Sequence, residues 1–275
     1  MNNFLSTLKN HVRPIYWHLR FPLLNSKAIR EYAVAGKLGD RLDGVACSVC
    51  ASPEIFQITF VSRQQIDKCH CKRCQHIFSR KLNKNLQRAS ELFGYDTPND
   101  QYEGQKRLQI ELVKTRVVLN GKYLDFGVGG NIAISRDLRG RYPQHEFYSC
   151  DLYSSSDAHY FQIYSSASPL HSFDGISSNA VVEHLDNTLE AWTYLNRLLK
   201  PLSEGGGTMI HAFPSQLVED PNHWTIKIAS HECLFSKASL ALICEQAGFA
   251  LMKIRFFGSV QHPVYYFRKT ADLNE

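Results

Sequence analysis

The sequence predicts an α/β protein, a doubly wound Rossmann-like sheet behind a small cysteine-rich module. Strand-like and helix-like stretches alternate from about residue 103 to the C-terminus. A glycine-rich turn, Gly127-Val128-Gly129-Gly130, follows the first strand of that series. Ahead of it, two C-x2-C pairs stand about twenty residues apart.

The chain has 275 residues, 44% of them apolar and 21% charged. That composition supports a sizeable core and excludes a disordered chain. No apolar run reaches the roughly 18 residues of a membrane span. Lys9, His11, Arg13, His18 and Arg20 break the apolar pattern of the N-terminus, so it does not read as a secretory signal and a cytoplasmic location is expected. Residues 1–40 read as a basic amphipathic arm. Five Lys or Arg and no acid occur up to Arg30, interleaved with Phe4, Leu8, Tyr16, Trp17 and Phe21. Two readings stand for it: an arm packed on the main domain, or a peripheral contact with an anionic membrane surface or a polyanion. The overall charge of +5 is mildly basic and by itself marks no nucleic-acid binder.

Residues 41–82 read as a zinc-ribbon-like module. Each C-x2-C turn folds back so that two thiolates point at one ion, and two such turns complete a tetrahedron. The expected ligands are Cys47, Cys50, Cys71 and Cys74, with Ile55–Val61 as the intervening strand. Cys69 competes with Cys71, at the cost of a stretched second knuckle. Four thiolates leave no open position, so Zn2+ here is structural. Cys150, Cys233 and Cys244 sit in apolar surroundings and read as core residues.

Residues 83–275 form the expected main domain. Leu108, Leu112, Val113 and Val117 recur at helical spacing between Glu103 and Leu119. Strands are expected at Tyr123–Phe126, Glu146–Leu152, Phe173–Ser178 and Gly207–Phe213, with helices over Ile132–Arg141, Val181–Leu199 and Ser236–Ala247. Leu251–Phe257 and Val264–Phe267 read as a terminal pair of strands. Ligands of such sheets bind at the carboxyl ends of the strands, near the topological switch. Gly127 and Gly129 admit a ligand to the backbone. Asp151, after the second strand, is placed to accept hydrogen bonds from both hydroxyls of a ribose. Alone, these features fit any nucleoside-binding α/β fold.

The ordered series of motifs is more specific. Leu124-Asp125-Phe126-Gly127-Val128-Gly129-Gly130-Asn131 resembles motif I of class I S-adenosylmethionine (SAM)-dependent methyltransferases. Phe173-Asp174 through Glu183-His184, Leu198-Leu199-Lys200-Pro201 with Gly205-Gly206-Gly207, and His231–Ser236 with Ala247-Gly248-Phe249 resemble later segments of that family in the same order. The chain departs from the pattern at Asn131, where a third glycine is usual, and at Leu202–Glu204, an insertion. The family's acid before the fourth strand is replaced by Ser165 and Ser166. The resemblance implies an antiparallel last strand and a SAM-dependent methyltransferase. It places Asp125, Gly127, Val128 and Gly129 on the methionine part of SAM and Asp151 and Leu152 on the ribose and adenine. Asn179 and Ala180 then face the methyl donor. A zinc module ahead of such a domain resembles sugar methyltransferases of glycan and antibiotic pathways, so a sugar, nucleotide-sugar or glycan acceptor is expected. An RNA methyltransferase that grips RNA with ribbon and arm is the alternative, and a non-catalytic SAM-fold binding protein the second. The candidate bases are His184, His223 and His231, with His211 also near the carboxyl edge; a histidine so placed adds about 10²–10⁴-fold. For His184 the competing reading is that the Glu183-His184 pair caps a helix. The 214–230 loop, with His223 and Trp224, is long enough to cover an acceptor.

Overall fold

The computed structural model describes residues 37–59, 68–79, 98–115, 118–128, 132–151, 156–185, 187–213, 231–257 and 262–273. The N-terminal arm up to residue 36, Gly129–Asn131, Leu152 and the 214–230 loop lie outside them.

Two sheets are built from the described residues. The first is antiparallel, in the order β1-β2-β3-β4-β10. Its strands are β1 (Lys37–Arg41), β2 (Ile55–Thr59), β3 (Lys68–Cys71), β4 (Ile77–Ser79) and β10 (Cys233–Leu234). The fifth strand comes from the far end of the chain: Cys233 pairs with Phe78 and Leu234 with Ile77. The second sheet holds β5 (Lys122–Phe126), β6 (Glu146–Asp151), β7 (Tyr160–Gln162), β8 (Gly175–Asn179), β9 (Thr208–Ala212), β11 (Phe249–Arg255) and β12 (Val264–Lys269). Its order is β11-β12-β9-β8-β5-β6-β7. The pairs among β5 to β9 are parallel, whereas β12 runs antiparallel to both β9 and β11. The doubly wound Rossmann-like α/β sheet with an antiparallel last strand is therefore present.

Strand periodicity explains the layering. Along β5, Tyr123 joins one cluster and Leu124 and Phe126 the other; along β12, Val264 and Tyr266 alternate with Tyr265 and Phe267 in the same way. One face packs against α1 (Pro98–Thr115) and α2 (Ala133–Arg141) through Leu108, Leu112, Ile134 and Leu138. The other packs against α3 (Thr188–Leu198) and α4 (Lys237–Gln246) around the fully buried Trp192. That second cluster runs on without a break into Cys47, Val49, Ile55, Cys71 and Cys74 of the first sheet. Ser236 joins the two units: its Oγ accepts from Ser239 N at 3.0 Å, capping α4, and donates to the Cys74 carbonyl at 2.6 Å.

Several boundaries differ from expectation, most visibly in three elements. Helix α1 starts earlier and ends sooner, at Pro98 and Thr115; proline suits a first helical turn, where its missing N–H bonds nothing. The 181–199 helix is broken. Val182–His184 form a short 3-10 turn, and α3 begins only at Thr188 behind Asn187. The Asn187 side chain accepts from Glu190 N at 3.3 Å, which caps the new start. Finally, β8 begins at Gly175, after Phe173 has made an isolated bridge to Leu199.

Candidate functional site

The switch in strand order falls between β5 and β8, and the chain turns away from both carboxyl ends with constrained backbone. Gly127 follows β5 at φ +76°, and a Cβ there would stand 2.4 Å from Cγ1 of Val181. Only glycine fits both the left-handed conformation and the contact. Gly127 N and Val128 N both donate to the Cys150 carbonyl, at 2.9 and 3.3 Å, which pins the turn to the end of β6. Ala180, just beyond β8, is also left-handed at φ +54°, and its N–H donates to the Ala212 carbonyl at 2.9 Å. Asn179 and Ala180 thus stand on the edge that Gly127 occupies, and Asp151 ends β6 beside it, 7% exposed.

Asp125 lies one strand residue inside this edge, on the face covered by α1. It is fully buried, and the Gln105 side-chain amide donates to its Oδ1. Its Oδ2 has no partner among the described residues. Burial pushes its pKa up to about 7, against the pull of the Gln105 and Gln109 amides. One helical turn on from Gln105, Gln109 Nε2 donates to Ser177 Oγ of β8 at 2.8 Å. The two glutamines were not singled out from the sequence. Their signal was there: polar residues at i and i+4 on the stripe that also carries Leu108 and Leu112. A left-handed glycine turn, an unpaired acidic oxygen and an acid at the end of the next strand fit a nucleoside with a charged tail. Gly129 and Leu152, expected to share in this, lie outside the described residues.

Two expected motifs fall elsewhere. Asp174 is buried at the opposite, amino edge, accepting from Lys122 N at 2.9 Å and pairing with Lys200 Nζ at 3.0 Å. The Phe-Asp and Leu-Lys-Pro segments therefore meet each other to align strand starts. His211 is also set apart. It is fully buried, it shares a short hydrogen bond with Ser178 Oγ, and it packs against Trp192 and Phe267. Burial pulls its pKa down to about 3. It is a core residue and not a base at the edge. A cleft of about 450 Å³ between α4 and β11 opens at the outer edge of the sheet, three strands from β8.

Beyond β8, the 3-10 turn brings Glu183 and His184 against His231. Their ligand atoms all lie within 4.8 Å of one another, and the two imidazoles meet edge to face. Glu183 is fully buried, neither carboxylate oxygen has a partner among the described residues, and burial pushes its pKa up to about 8. His231 is held from below: the buried Lys68 ammonium of β3 donates to its carbonyl and, at 2.8 Å, to Ser79 Oγ. The third candidate base, His223, lies outside the described residues. From sequence, Glu183 reads as the first half of a capping pair; its contact with a residue 48 positions later had no local signal.

In the first sheet, Cys47, Cys50, Cys71 and Cys74 converge, with all four sulfurs within 4.8 Å of one another. Cys47 Sγ is 3.6 Å from Cys74 Sγ, and Cys50 Sγ 3.5 Å from Cys71 Sγ. Tetrahedral zinc with bonds of about 2.3 Å sets its sulfurs about 3.8 Å apart, so the donor set fits that ion. The hydrogen bond from Cys74 holds the Cys47 thiol down at about 5, while burial pushes Cys71 up to about 11. The eight cysteines form no disulfide, and Cys69 on β3 is outside the convergent four. Cys150, Cys233 and Cys244 are buried, as expected of core residues.

Residues 74–254 match the profile of a family described as a methyltransferase domain. No curated protein sequence gives a significant match. Among solved structures, the chain is similar to the 1,6-didemethyltoxoflavin-N1-methyltransferase of Burkholderia thailandensis, bound to 1,6-didemethyltoxoflavin and S-adenosylhomocysteine. The identity is 16% and the TM-score 0.47, over 73% of this chain and 98% of that one. A SAM-dependent methyltransferase from Aquifex aeolicus is 14% identical, with a TM-score of 0.45, over 69% of this chain and 100% of that one.

Proposed function

The chain belongs to the methyltransferase-domain family, and from that premise we propose that it transfers the methyl group of SAM to a small-molecule acceptor. The observation that carries the reading is the edge between β5 and β8, where Gly127, Asp125 and Asp151 stand together. Asp151 accepts from the ribose hydroxyls, the Gly127-Val128 backbone lies along the methionine part, and the Asp125 carboxylate answers its positive charge. Asn179 and Ala180 border the methyl group. Bound SAM supplies a methyl on a sulfonium, already activated. The protein's task is then to hold an acceptor in line with the S–CH3 bond, and such positioning alone supplies much of the rate. SAM would give up its methyl and leave as S-adenosylhomocysteine, with the acceptor's proton passing to solvent or to an imidazole at this edge. The acceptor approaches over the side of the edge where His184 and His231 lie.

The four-cysteine cluster is assigned a structural Zn2+, and residues 41–82 a supporting module for the domain over 83–275. A sugar, nucleotide-sugar or glycan is the preferred acceptor, in the cytoplasm. No helix among the described residues is long and apolar enough to cross a membrane. Calorimetric titration with SAM and S-adenosylhomocysteine, on the native chain and on Asp151→Ala, tests the reading. Micromolar binding that weakens at least about tenfold in the variant is expected from loss of a charged hydrogen-bonding group. No binding by folded, zinc-loaded protein sinks it and leaves a non-catalytic binding protein. Transfer of labelled methyl to a sugar-nucleotide panel and to RNA, at two salt concentrations, separates the acceptors, since RNA binding falls steeply with salt.

A further inference from the structure

The buried group at the end of β8 has more in it than a methyl-transfer site uses. Glu183 carries two carboxylate oxygens with no partner among the described residues, and its side chain has no exposure to solvent. A carboxylate left so is costly; buried charges in proteins are paired or bound to metal. Beside it stand the Cys233 thiol and the imidazoles of His184 and His231, whose ring nitrogens reach within 4.8 Å of its oxygen and of each other. The buried Lys68 ammonium is committed to the His231 carbonyl and Ser79 Oγ.

The geometry points to a divalent-cation site formed by Glu183, His184 and His231, separate from the four-cysteine cluster and independent of the methyl-donor reading. One carboxylate and two imidazoles are a donor set for a transition-series dication such as Zn2+, Mn2+ or Fe2+. Three protein ligands leave at least one position, which suits an oxygen ligand such as water. With the ion bound, His184 and His231 act as ligands and not as bases. The scaffold is prepared for this. The 3-10 turn presents Glu183 and His184 as neighbours, and Lys68 and β10 hold His231 opposite them. The site is also bracketed by rigid structure, since Cys233 Sγ donates to the Val182 carbonyl at 3.3 Å and so ties the two segments together.

Electron paramagnetic resonance of added Mn2+ tests the site on the full, zinc-loaded chain. Mn2+ favours oxygen and nitrogen donors over thiolates, so the four cysteines do not compete. One Mn2+ per chain is expected, with spin-echo modulation from imidazole nitrogen. Affinity should fall by at least about tenfold in Glu183→Gln and in His184→Asn. His184 is half-exposed, so His184→Asn decides the matter if Glu183→Gln fails to fold. Absence of stoichiometric binding by Mn2+, Co2+ or added Zn2+ overturns the site, as does binding that neither variant weakens. SAM calorimetry on the same samples reads the methyl-donor site separately, so failure of one is distinguishable from failure of the other.

Discussion

Replacing Gly127 by alanine tests the turn on which the proposed donor site rests. Two costs are separable. At φ +76° an alanine backbone sits in the left-handed region, at about 1–2 kcal/mol. Its Cβ would also stand 2.4 and 2.6 Å from the two γ-methyls of Val181, and such overpacking costs about 1–3 kcal/mol. The sum, about 2–5 kcal/mol, is a large part of the roughly 5–15 kcal/mol that holds a domain folded. Urea titration followed by tryptophan fluorescence should show it as a lower midpoint at unchanged slope. The steric share is isolated by a double-mutant cycle with Val181→Ala. That change alone costs about 1 kcal/mol, as deletion of partly buried methyls does. Together the two should show a favourable coupling of about 1–3 kcal/mol, because the clash has gone and only backbone strain is left. A Gly127→Ala variant within about 0.5 kcal/mol of the native chain refutes the argument, the scatter of an ordinary surface change. Strict additivity in the cycle refutes the assignment of the clash to Val181.

Other consequences follow from the same geometry. Asp125 is raised from 3.8 to about 7 by burial. Its contribution to stability is full below about pH 4 and is lost as pH rises through about 7, so Asp125→Asn should flatten the pH dependence of urea stability over that window. A cationic donor beside Asp125 favours the charged form, so SAM binding near pH 7 should release up to about half a proton. Calorimetry in buffers of different ionisation enthalpy measures this, and equal heats in all of them would count against the placement. Asp174→Ala removes the partner of Lys200 at the amino edge. It should cost about 2 kcal/mol, somewhat less than a fully buried pair because Lys200 is partly exposed, and leave SAM affinity within about twofold. Removing the zinc by chelation, or by Cys71→Ser, should lower the melting temperature and release the order of His231 and β10. Histidine NMR signals that stay sharp and unshifted on chelation would contradict the link.

Features carried by local pattern were legible in the sequence. The two C-x2-C pairs, Asp125 and Gly127 before the first helix of the sheet, and the terminal pair of strands each lie within a short window, whereas the antiparallel run of the last strand was implied by the family resemblance. Contacts between distant segments were not legible: Gln105 with Asp125, Lys68 with His231, and β10 with β4 join residues with no shared local pattern. The broken helix is an instructive miss. Val181, Val182, Leu185 and Leu189 continue a helical rhythm across the break, which hid it. Asn187 followed three residues later by Glu190 is nonetheless the pattern of a helix start, and the structure uses it as one.

The arrangement of the two sheets bears on why a cysteine module accompanies this domain at all. It packs directly against the main domain. Its cysteines belong to the same apolar cluster as Trp192 and Phe235, Gln246 Nε2 at the end of α4 donates to the Val49 carbonyl at 2.9 Å, and Ser79 N donates to the Glu232 carbonyl at 2.8 Å. The segment between β9 and α4 returns from the 214–230 loop by pairing β10 onto β4, so the first described residues after the loop, His231 and Glu232, take their positions from the module. A metal-braced antiparallel sheet is stiff because its ligands fix both knuckles at once. With zinc bound to the four cysteines and the acceptor on the His184–His231 side, as proposed, that stiffness would reach the acceptor side through Lys68 and β10, whereas Gly127 on the donor side is pinned by β6. Changes in the module are therefore expected to alter what the protein accepts more than how it holds SAM.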